Sequence, residues 1–148
     1  MKIFMKTLTL LSLMLIIVSC SRKDDDPTPP TPTSSAGFTW RENDPNGAVK
    51  TAGSSEVRTQ YKSIFAFSGA TATSGTVFEI NLTDITPGTY KIGSSNAFYF
   101  NGNTTNPSSG EIVITANANG KASGTFKAIW NSGSITSVYG TFTDIDVK

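Results

Sequence analysis

From Phe38 onward no stretch holds a 3.6-residue apolar period long enough for a helix; apolar residues recur instead at every second position, in short runs. A two-residue period puts alternate side chains on opposite faces of a strand, so the chain buries its apolar residues by turning one face of a sheet inward. In Thr76–Leu82, Phe78, Ile80 and Leu82 share one face, and Glu79 and Asn81 the other. In Lys121–Trp130, Phe126, Ala128 and Trp130 oppose Thr125 and Lys127, and Glu111–Ala116 brings Ile112 and Ile114 together. Further runs are Phe38–Glu42, Ala48–Ala52, Tyr61–Ser68, Thr89–Ile92, Ala97–Asn101 and Ser134–Phe142. Between them lie turn residues: Asp44-Pro45-Asn46-Gly47, Pro87-Gly88, Asn117-Ala118-Asn119-Gly120 and Asn131-Ser132-Gly133. About nine short strands predict an all-β fold over residues 38–148, a single antiparallel β-sandwich or partly open β-barrel. The last three strands are expected to pair as consecutive hairpins.

Two of those strands repeat a Gly-Thr-Phe unit, Gly124-Thr125-Phe126 and Gly140-Thr141-Phe142. At one hairpin's length apart, this reads as two neighbouring strands with similar needs: both rings enter one core, and the glycines let the backbones lie close.

Residues 1–19 have another character. Lys2 and Lys6 precede an uncharged, mostly apolar run from Thr7 to Val18, the pattern of a secretory signal peptide. At about 12 residues the run is too short for a bilayer core that needs about 20. Ile17-Val18-Ser19-Cys20 closes it and resembles the lipobox of bacterial lipoproteins. The resemblance implies cleavage before Cys20, lipid on its sulfur and attachment to a membrane. Residues 20–37 are then a tether: Pro27-Thr28-Pro29-Pro30-Thr31-Pro32-Thr33 offers nothing apolar to bury. Lys23-Asp24-Asp25-Asp26 resembles the surface-export signal of Bacteroidota lipoproteins, which implies an outer-membrane protein displayed on the cell surface.

The domain resembles a family of small uncharacterised Bacteroidota surface lipoproteins. The residues that carry this are Gly88-Thr89-Tyr90, Gly110-Glu111-Ile112-Val113-Ile114-Thr115, Ser123 to Phe126 and Gly140 to Phe142. That family implies no activity.

Composition removes many chemistries. There is no histidine, hence no imidazole base, no Ser-His-Asp triad and no histidine zinc ligand. Cys20 is the single cysteine, so once lipidated it leaves neither disulfide nor nucleophilic thiol. No glycine-rich loop precedes a helix, so no phosphate cradle is expected. The formal charge of +1 becomes −1 once Lys2 and Lys6 leave with the signal. From Phe38 onward the charges balance, and no basic stripe suggests nucleic acid. Glu42, Asp44, Glu56, Glu79, Asp84, Glu111, Asp144 and Asp146 are the carboxylates available to a hydrolase, and most read as solvated strand or turn residues. Asp144 and Asp146 have the spacing to join a calcium site, but no loop gathers the 6–8 oxygens required.

No cofactor or metal is expected, and aromatic residues are the remaining resource. Trp130, in step with Phe126, and Trp40, in step with Phe38, belong in the core. Tyr99 is out of step with Phe98 and Phe100, and Tyr139 with Val138 and Phe142, which makes these two the candidate ligand contacts. The expectation is a lipid-anchored, non-catalytic β domain that binds a glycan or an envelope protein. A purely structural envelope lipoprotein is the alternative, and a carboxylate hydrolase comes third.

Overall fold

A computed structural model describes residues 36–148. The expected signal peptide, Cys20 and the Lys23–Asp26 motif lie outside the described residues.

Ten strands form one curled sheet: β1 (Gly37–Glu42), β2 (Lys50–Thr51), β3 (Ser54–Arg58), β4 (Ser63–Phe67), β5 (Thr76–Asn81), β6 (Gly88–Lys91), β7 (Ala97–Phe100), β8 (Ser109–Ala118), β9 (Lys121–Ile129) and β10 (Ser137–Val147). The main path runs β6-β8-β9-β10-β3-β4-β5-β7, and β1 joins β10 and carries β2 on its far side. The sheet curls into an open half-barrel. Its two ends, β6 and β7, are neighbours in sequence, joined by a tight connection in which the Asn96 side-chain amide donates to Lys91 O at 2.9 Å.

The alternating runs became strands as the period predicts, and β8-β9-β10 is the expected double hairpin. Two features depart from it. β3 is a tenth strand in a segment absent from the expected runs, because Val57 is the one aliphatic residue in Gly53–Arg58 and no alternation shows. β3 also pairs with β10 in parallel, through Asp146–Glu56 and Val147–Val57, so the sheet is not wholly antiparallel. A bulge permits this: the β9–β10 register shifts between Phe142 and Ile145, with Asp144 at φ 49°. The bend carries the last turn of β10 past β1 and onto β3.

Inward-facing residues meet in one aromatic core. Phe78 is its hub, with ring centroids of Phe38, Trp40, Phe98, Phe100 and Phe126 all 4.6–5.8 Å away. Both tryptophans are buried, as their phase predicts, and each indole N–H has an acceptor: Trp40 donates to Glu42 Oε1 at 2.9 Å, and Trp130 to Thr105 O at 2.8 Å. No cysteine occurs among the described residues, so no disulfide within them supplements this ring cluster, which supplies the main burial.

A candidate ligand-binding face

Antiparallel register aligns the outward-facing residues into rows that cross the sheet. One row runs Arg41 (β1), Tyr139 (β10), Lys127 (β9), Glu111 (β8), Lys91 (β6). A second runs Lys121 (β9), Asp146 (β10), Glu56 (β3), Phe65 (β4), Glu79 (β5), Tyr99 (β7). The two tyrosines singled out by phase therefore occupy different rows. Tyr99 is 46% exposed, Tyr139 is half-buried, and three strands separate them, so they form no common platform.

The second row contains the structure's most buried acid, which sequence reasoning passed over as an ordinary polar-phase residue. The Glu56 side chain is only 7% exposed and lies between two cations, Arg58 Nε at 2.5 Å from Oε1 and Lys148 Nζ at 2.5 Å from Oε2. The Lys148 hydrogen bond, with help from Arg58, outweighs burial and holds the Glu56 carboxyl below its ordinary range. The Arg58 guanidinium also covers the Phe65 ring at 4.6 Å, and Phe65 and Phe67 stack at 6.0 Å. This small outer cluster is why β4 is buried on both faces. The Glu56–Arg58 spacing is local to the strand, but the burial is not, since Phe65, Phe67 and Lys148 come from elsewhere in the chain.

Beside Glu56 a cleft of about 370 Å³ is lined by Ser54, Phe67, Thr71, Asp146 and Lys148. Glu56 and Asp146 are cross-strand partners here, two carboxylates on one cleft, the minimum for glycoside hydrolysis. Such a pair needs one member protonated at neutral pH, with its pKa raised. Both are pushed the other way: Glu56 as above, and Asp146 by its hydrogen bond to Lys121 at 2.6 Å. Both acids are thus favoured in the charged form, the opposite of what a general acid at neutral pH needs. Asp144 does not join them, since its Oδ1 lies 3.3 Å from Ser123 Oγ and its backbone N–H donates to the same hydroxyl. No group of three or more metal-ligating side chains occurs among the described residues.

The first row has a different charge pattern. Glu111 turns to Lys91 and forms an ion pair. Lys127 places its ammonium 5.4 Å from the Tyr139 ring centroid, and Arg41 Nε donates to Gly47 O at 3.1 Å. Neither Arg41 nor Lys127 was singled out from the sequence. Lys127 was legible as a polar-phase residue of its strand, but its place opposite Tyr139 depends on the hairpin register. No protein-family model, curated protein or solved structure matches this chain.

Proposed function

We propose that this protein is a surface-displayed, lipid-anchored binding protein whose β domain holds a glycan or an envelope partner without catalysis. The anchor carries the reading: Ile17-Val18-Ser19-Cys20 closes a signal-like apolar run, and an acidic, proline-rich tether leads to the domain. Two or more acyl chains on Cys20 hold a protein stably on a bilayer, whereas one does so only marginally. A folded β domain on such a tether suits capture at the membrane surface. The non-catalytic part is supported by the four carboxyls that lie below their ordinary range, Glu56, Asp84, Glu111 and Asp146, each stabilised in its charged form by a hydrogen bond.

The anchor is tested by membrane fractionation and mass spectrometry of the parent and Cys20→Ala. The parent should sediment with membranes and carry acyl chains on residue 20. The variant should be released or retain its leader. A variant that is processed and remains membrane-bound like the parent would remove the reading.

A further inference from the structure

The described residues include eight cationic side chains. Five of them, Lys50, Arg58, Lys91, Lys121 and Lys148, have a carboxylate within ion-pair distance. Arg41, Lys62 and Lys127 have none, and two of these three are the cross-strand partners of Tyr139, Arg41 on one side and Lys127 on the other. At strand spacings of 4.7–4.9 Å the two backbones stand about 10 Å apart with the phenol between them. The domain as a whole carries equal numbers of each charge, so this excess is local and not a share of a basic surface.

An aromatic face flanked by two cations outside any ion pair, with Lys127 feeling the Glu111 carboxylate only at longer range, suits one kind of sugar. The C–H face of a pyranose packs against a flat ring, while a carboxylate or sulfate substituent takes charge-assisted hydrogen bonds from guanidinium and ammonium. A neutral sugar would leave both cations without a close ionic partner, and a simple anion would have no use for the ring. From this charge complementarity we infer that Arg41, Tyr139 and Lys127 bind an acidic saccharide, with the sugar ring on Tyr139 and its anionic group held between Arg41 and Lys127. The inference rests on the glycan reading above and names the class of glycan. The Lys127 stem has the length to swing its ammonium off the Tyr139 ring and onto the ligand's anionic group.

The test is affinity electrophoresis of the full chain in mild detergent against polygalacturonate, dextran sulfate and a panel of neutral glycans. The parent should be retarded by at least one of the two polyanions. Arg41→Gln and Lys127→Gln should each weaken that binding about tenfold, the worth of one charge-assisted contact. Tyr139→Ala should weaken it and Tyr139→Phe restore it. Lys62→Gln removes the same charge from the third unpaired cation and should change little. Equal loss in Lys62→Gln, or unchanged binding in Arg41→Gln and Lys127→Gln, would overturn the assignment. So would variant-sensitive binding to anionic lipid vesicles without binding to either polymer. Binding to neutral glycans alone, indifferent to these variants, would overturn the acidic-sugar site and leave the glycan reading standing. Binding to no glycan would remove both.

Discussion

Phe126 on β9 lies directly across from Gly140 on β10, and its ring fills the space a side chain at 140 would need: a Cβ there would sit 2.1 Å from the Phe126 Cζ. The relationship is reciprocal. Phe142 faces Gly124, where an added Cβ would sit 2.4 Å from the Phe142 Cζ. The two Gly-Thr-Phe units are therefore complementary, aligned antiparallel about the Thr125–Thr141 pair. Each glycine makes room for the other unit's ring.

That packing predicts a coupled cost. Gly140→Ala should destabilise the protein by about 1–3 kcal/mol through overpacking, and Phe126→Ala by about 3–5 kcal/mol through the cavity it leaves. In the double variant the Gly140→Ala cost should shrink, since the clashing ring is gone. Some cost should persist, because Thr39 O also lies 2.5 Å from the added Cβ. Urea unfolding of the four proteins checks this. Additivity within about 0.5 kcal/mol would show that the ring and the glycine are not coupled.

The outer face should tolerate truncation better than the core. Phe142, 1% exposed, should cost about 3–5 kcal/mol on change to alanine. Tyr139→Ala loses a half-buried ring and one cation–π contact and should cost about 1 kcal/mol. Thermal melts of the two variants make the comparison, and comparable losses would show that Tyr139 serves the fold more than a ligand.

Glu56 gives a pH signature. Lys148 first, then Arg58, holds its carboxyl below the ordinary value of 4.5. A carboxyl depressed in the folded state adds stability that is present above the unfolded value and is lost as pH falls through the folded one. The parent should therefore lose stability as pH drops below about 4.5. Glu56→Gln should start weaker at neutral pH, by about 1.5–3 kcal/mol, and lose less on acidification. Asp84, Glu111 and Asp146 titrate in both proteins, so the difference between the two urea-midpoint profiles isolates Glu56. Parallel profiles would mean that the Arg58–Glu56–Lys148 cluster contributes no pH dependence.

The proposed surface display makes the acidic motif of the tether its export signal. Changing Asp24, Asp25 and Asp26 together to alanine should leave the domain folded and move it from the outer to the periplasmic face. Protease digestion of intact cells reads this directly. Equal digestion of parent and variant would separate the acidic motif from export.

Facing was legible in the sequence and neighbourhood was not. The two-residue period of Thr76–Leu82 and Lys121–Trp130 correctly assigns Phe78, Ile80, Phe126 and Trp130 to the core, because alternation is a property of a single strand and needs no partner. The β8-β9-β10 hairpins were also readable, since short turns leave the chain few other places to go. The pairings that build the candidate sites join residues far apart in sequence. Glu56 meets Lys148 only because the bulge at Asp144 turns β10 onto β3, and Arg41 meets Tyr139 only because β1 returns to β10. Such contacts are set by how the sheet curls around its aromatic hub, a balance of loop closure and ring packing that no local pattern records. Alternation along the chain set which residues face inward and short turns set the β8-β9-β10 neighbours, whereas the outward-facing pairs between distant strands came from the curl of the sheet.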